Sequence, residues 1–154
     1  MTGDRMKQIA RYIDEDDFLL TYGDGLSDVN ISDLVAFHRS HGRLATVTAV
    51  RPVSRFGMLE LADGNKKFEV TKFSEKPLLD GWMSAGHFVL NRKVFDYIGG
   101  PGCIFEREPL EHLSADGQLS AFCHEGFFFA MDTYREFKYL NDLWAAGGAP
   151  WKVW

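Results

Sequence analysis

Short β-favouring runs and stretches of helical periodicity alternate along this chain. Phe18 to Tyr22, FLLTY, is an apolar run bounded by charges before it and glycine after it, which predicts a strand covered on both faces. In SDVNISDLVAFHRSHGR, Asn30 or Ser32 caps a predicted helix, Leu34, Val35, Phe37 and His38 form its apolar side, and Gly42 stops it. LATVTAV, residues 44–50, is a β-branched strand. Together these predict a strand–helix–strand unit with a right-handed crossover in a parallel sheet. Upstream, residues 4–13 predict a short amphipathic helix with Met6, Ile9, Ala10 and Ile13 on one side.

The middle of the chain changes period. FGMLEL (56–61) and KKFEVTKFSEKP (66–77), joined by ADGN, predict a hairpin turning through Asp63 and Gly64. WMSAGHFVLN (82–91) is a further strand, with a short helix from Arg92 to Ile98. FEREPLEHLSADGQ predicts a helix ending near Gly117, and LSAFCHEGFFFAMD one or two strands with a Phe127–Phe129 run assigned to the core. A last helix, Thr133 to Ala146, carries Phe137, Leu140, Leu143 and Trp144 at helical spacing before Gly147, Gly148 and Pro150. No repeat or low-complexity linker interrupts the pattern, so the fold class is α/β with a mixed sheet in one unit.

Composition narrows the functional classes. At 154 residues, 45% apolar and 14% aromatic, the chain is long enough for one core. A net charge of −5 without clustered Lys or Arg argues against nucleic acid as a partner. The two cysteines, Cys103 and Cys123, are too few and too distant for a zinc site and are expected as free buried thiols in a reducing, cytoplasmic setting. No apolar run approaches the roughly 20 residues that cross a membrane, and the N-terminal residues lack the apolar centre of a signal peptide.

Charges stand at the ends of three apolar runs: Asp24 in TYGDG, Lys76 in FSEKP and Asp132 in FFFAMDT. Open α/β sheets bind ligands at the carboxyl ends of their strands. Asp before Gly is also a common turn pair, and Asp132 before Thr133 also reads as a helix N-cap. If the two aspartates converge, their carboxylates suit Mg²⁺ held jointly with phosphate oxygens, and Lys76 supplies a point charge for the phosphate. Arg55 reads as exposed. Gly57 and Gly86 each mark either close approach of the backbone to a ligand or a local irregularity. His38, His41, His87, His112 and His124 have no metal-ligand spacing and read as packing or surface residues.

The ordered series TYGDG, RFG, FSEKP, GHFVLN, FEREPL, MDT and the terminal APWKVW resembles the sugar-1-phosphate nucleotidyltransferases, above all those of the glucose-1-phosphate cytidylyltransferase type, along the whole chain. The resemblance implies a Rossmann-like nucleotidyltransferase fold and a reaction of CTP with glucose 1-phosphate giving CDP-glucose and pyrophosphate. It implies Mg²⁺ on Asp24 and Asp132, and Lys76 on the sugar phosphate. It further implies Glu75 on the sugar hydroxyls, Gly23 against the nucleotide, Gly57 and Gly86 admitting the hexose, and Arg5 assisting substrate binding.

Departures from that pattern shape the expectation. The glycine-rich loop and nearby lysine expected to hold the triphosphate are absent from the sequence, so residues 1–154 are expected to be the C-terminal portion of such a domain, truncated and weak or inactive alone. Asp4 stands where the family has glycine, and Ser84 and Ala85 replace an Asn-Gly pair before Gly86. Another nucleotide or sugar phosphate, or a non-catalytic binding or assembly module, are the alternatives. An exposed edge on strand 18–22 is expected to favour a homo-oligomer or association with an N-terminal segment.

Overall fold

The computed structural model describes residues 1–63 and 68–154, and the expected turn at Gly64 lies outside the described residues. The helices are α1 (Thr2–Ile9), α2 (Ile31–His41), α3 (Glu108–Ala115) and α4 (Tyr134–Ala145). The strands are β1 (Asp17–Thr21), β2 (Gly25–Ser27), β3 (Ala45–Val50), β4 (Met58–Leu61), β5 (Val70–Ser74), β6 (Met83–Asn91), β7 (Leu119–Cys123) and β8 (Phe128–Ala130). Helix α1 tightens into a 3₁₀ turn over Ala10–Tyr12, and the segment predicted as a short helix after β6 is a 3₁₀ helix, Arg92–Tyr97.

Local signals set α2 as expected. The Asn30 side chain accepts hydrogen bonds from the amides of Ser32 and Asp33, and Gly42 closes the helix at φ 66°. The central sheet runs β1-β6-β3-β7, with β1 and β3 both antiparallel to β6, and β3 parallel to β7. It is a mixed sheet in an α/β fold. As expected of a strand–helix–strand unit, β1 and β3 run parallel to each other, and β6 lies between them, antiparallel to both. Strand β1 is not covered on both faces, since it forms the outer edge of the sheet and Leu19 is 54% exposed.

The core gathers where β6 meets the helices. Phe88, Leu90, Val94, Phe105 and Leu113 are fully buried, with Phe88 and Phe105 edge to face at 5.6 Å between ring centroids. Met6 brings α1 onto this cluster. Two small ladders stand apart from the central sheet, β2 with β8 and β4 with β5. Helix α4 buries only Leu140 fully, while Phe137 and Trp144 remain about half exposed. Cys123 is exposed rather than buried, because it lies at the end of the edge strand β7. Among the described residues no helix is long and apolar enough to cross a membrane.

Candidate active site

The β2–β8 ladder joins two chain segments about a hundred residues apart. Gly25 lies opposite Ala130 and Leu26 opposite Phe129, and the pairing extends past the strand ends through the Met131 amide, which donates to the Asp24 carbonyl at 2.8 Å. Asp24 and Asp132 therefore stand at the same end of one ladder. Gly25 is closely packed there: a Cβ would meet the Phe128 ring at 3.3 Å and the Ala85 carbonyl at 3.4 Å.

Neither aspartate is used up by local structure. The Asp24 carboxylate is exposed and makes no hydrogen bond or ion pair among the described residues, so it does not build the turn. The N-cap of α4 is Thr133 rather than Asp132: its hydroxyl accepts from the Glu136 amide, and the Glu136 carboxylate accepts from the Thr133 amide at 2.8 Å in a capping box. This leaves the Asp132 carboxylate free to face Arg55, 3.8 Å away. Among the described residues no group of three or more His, Cys, Asp or Glu forms a cage. Two hard-oxygen donors at an exposed ladder end fit Mg²⁺, which takes its other ligands from substrate phosphates and water.

Beside the ladder opens a cavity of about 640 Å³, between segment 51–56 and the start of α4. Its cations are Arg51, Arg55, Lys76 and Arg135, its aromatic wall is Phe56, Phe128, Phe129 and Tyr139, and its one acid is Glu136. The phenylalanines expected in the core thus partly line a cavity, because β8 pairs with the short β2 and leaves one face open. Lys76 is held at φ 46°, the one non-glycine residue with positive φ among the described residues. Its neighbours fix it: the Ser54 amide donates to the Pro77 carbonyl and the Leu79 amide to the Pro52 carbonyl, each at 2.9 Å. Its ammonium lies 3.6 Å from Glu75 Oε1.

The other expected site residues fall around this centre. Gly23 is exposed, with open space where a Cβ would be. Glu75 adjoins Gly57, whose missing Cβ would meet the Phe73 ring at 2.6 Å and Glu75 Oε2 at 3.2 Å. Gly86 has φ 72°, and the Tyr22 ring lies 2.6 Å from where its Cβ would sit. Both glycines are accounted for by the protein's own rings. Arg5 is exposed on α1 and is not among the cavity residues. Tyr22 donates to the Glu106 carboxylate, which also accepts from Thr2 at 2.6 Å. Burial first, then Glu106 and Asp24, push the Tyr22 phenol far above its ordinary value.

Glu136, Arg51 and Arg135 were not singled out from the sequence. For Glu136 a signal was present, since Thr133 to Glu136 in TYRE is the T-x-x-E of a capping box. Burial raises the Glu136 carboxyl, and the amides of Thr133 and Asp132, the Thr133 hydroxyl and Arg55 outweigh it, holding the group below its usual value. His38 and His41 are likewise more than packing: both bond the Thr46 hydroxyl, each at 2.8 Å.

Residues 2–118 match the family model described as "Nucleotidyl transferase". Glucose-1-phosphate cytidylyltransferase of Salmonella typhimurium is 47% identical over the whole of this chain, and the probable glucose-1-phosphate cytidylyltransferase of Bacillus subtilis is 44% identical, likewise over the whole chain. The chain spans 59% of the length of each. The crystal structure of HddC from Yersinia pseudotuberculosis shares the fold at a TM-score of 0.67 and 19% identity, over 93% of this chain and 62% of its own. With the family model spanning most of its length, the chain belongs to the nucleotidyl transferase family.

Proposed function

We propose that this chain carries the metal- and sugar-phosphate-binding part of a nucleotidyl transfer of the glucose-1-phosphate cytidylyltransferase type. A phosphate oxygen of glucose 1-phosphate attacks the α-phosphorus of CTP, and pyrophosphate leaves, giving CDP-glucose. The observation that carries this reading is the pairing that sets Asp24 beside Met131 and Asp132, next to a cavity with four cations. In-line transfer between phosphates needs positioning and neutralisation of charge more than covalent help from the protein. A Mg²⁺ ion held by Asp24 and Asp132 supplies that neutralisation when bound. Lys76, Arg51 and Arg135 hold the phosphate of the sugar, and Glu75, beside Lys76, accepts hydrogen bonds from the sugar hydroxyls. The aromatic wall excludes water from one side of the reacting groups.

The test is calorimetric titration of the chain with glucose 1-phosphate, with and without Mg²⁺. Binding that depends on Mg²⁺ and is lost in Asp132→Ala supports the reading; binding indifferent to both overturns the metal assignment. A series with CTP, UTP, dTTP and GTP, followed by pyrophosphate release, tests the choice of base.

A further inference from the structure

We propose that Glu136 is a positioning residue for Asp132, an inference that rests on the assignment of Asp132 as a metal ligand. A capping box needs one bond from the Glu side chain, to the amide of the N-cap residue. Glu136 does more. Its Oε2 accepts from the Thr133 amide at 2.8 Å and also from the Asp132 amide at 2.9 Å, outside the box. Its Oε1 lies 3.4 Å from Arg55 Nη2, across 81 positions of sequence, and the same Nη2 is 3.8 Å from Asp132 Oδ2.

One carboxylate therefore sets Asp132 twice. It fixes the backbone from which the Asp132 side chain springs, and it holds the guanidinium that faces the Asp132 carboxylate. The Glu136 side chain is only 18% exposed, whereas that of Asp132 is 54% exposed. The inner acid is anchored and the outer one is left for a ligand. Arg55 also lines the cavity, so the same contact ties the wall of the cavity to the proposed metal ligand. Without the Glu136 charge, Arg55 keeps, among the described residues, a single carboxylate partner, Asp132, and competes there with a metal ion. Outer partners of this kind orient ligating carboxylates and tune their affinity.

The experiment titrates Mn²⁺ alone into the full chain, reading free Mn²⁺ by electron paramagnetic resonance, with the unfolding temperature measured in parallel. Glu136→Gln and Glu136→Asp are both expected to weaken Mn²⁺ binding about tenfold. The second variant keeps the charge but shortens the reach, so its loss separates position from charge. Thr133→Ala, which breaks the hydroxyl end of the box, is expected to lower the unfolding temperature and leave Mn²⁺ affinity unchanged. The inference is overturned if Glu136→Asp binds Mn²⁺ like the parent, or if Thr133→Ala weakens binding as much as the Glu136 variants. Asp132→Ala separates this failure from that of the reading beneath it. Loss of Mn²⁺ binding in Asp132→Ala with intact binding in the Glu136 variants sinks only the positioning role; unchanged binding in Asp132→Ala sinks the metal assignment itself.

Discussion

The amide of Met131 donates to the carbonyl of Asp24 at 2.8 Å. This single bond continues the β2–β8 ladder beyond its last strand pair and brings the residue before Asp132 alongside Asp24. Asp24 and Asp132 thus stand at the same end of one ladder, one position out of register. The juxtaposition of these two segments therefore comes from pairing between stretches about a hundred residues apart and not from chain neighbours.

If one ion is shared, Asp24→Asn and Asp132→Asn should each weaken divalent-ion binding by roughly tenfold or more, and the double variant should add little to either. Mn²⁺ titration of the three variants checks this. Fully additive losses would mean two independent sites.

Lys76 sits in left-handed backbone at φ 46°, where an L-residue is strained by about 1–2 kcal/mol. Glycine at this position relieves the strain but loses more freedom on folding, so Lys76→Gly should raise stability by about 0.5–1 kcal/mol. It should also weaken binding of glucose 1-phosphate, because the cation is gone. Denaturant unfolding and calorimetry read the two effects separately, and a variant that loses stability contradicts the strain argument.

The two close-packed glycines should respond differently to alanine. At Gly86 a Cβ meets the Tyr22 ring at 2.6 Å with φ at 72°, so Gly86→Ala should cost about 2–4 kcal/mol. At Gly57 the obstructing ring belongs to Phe73, which is 63% exposed and free to turn away. Gly57→Ala should cost less than about 1 kcal/mol. Equal losses by denaturant unfolding would show that Phe73 cannot yield.

Stability should fall in mild acid. The Arg43 amide donates to His41 Nδ1 at 3.0 Å, which assigns the His41 proton to Nε2, facing the Thr46 hydroxyl. The hydroxyl then donates to His38 Nδ1, and His38 Nε2 faces Asp17 at 3.6 Å. Burial lowers the His38 value, against the opposing pull of Asp17 and with a smaller push from Arg39; burial, His38 and Arg43 lower that of His41. Both therefore favour the neutral form more in the fold than in the unfolded chain. Above their ordinary value of 6.5 their contribution is complete, and as pH falls below it the unfolded chain takes up protons first. Each histidine can remove at most about 1.4 kcal/mol per pH unit. The unfolding temperature measured from pH 7.5 to 5 checks the sign. Thr46→Val, which leaves the buried His38 Nδ1 and the part-buried His41 Nε2 without that partner, should destabilise the chain by about 1–3 kcal/mol at neutral pH.

Local chemistry made most elements legible. The Asn30 cap, the Gly42 stop and the β-branched run of β3 act within a few residues of themselves, so α2 and β3 appear where their patterns place them. Asp24, Lys76 and Asp132 were recognisable as candidates because charge at the end of an apolar run is itself a local feature. What their neighbours would be was not local. Strand β6 lies between β1 and β3 because an antiparallel partner arriving some forty residues later pairs with both. Whether Asp132 or Thr133 caps α4 depends on which oxygen reaches which amide, and Glu136 decides it by bonding both. The left-handed turn at Lys76 stands beside a bridge between Val53 and Leu78, segments about 25 residues apart. Pattern and propensity act over a turn or two of chain; pairing, burial and charge balance act across space, and here they brought Asp24 and Asp132 to one end of a ladder and set Asp132 against Arg55.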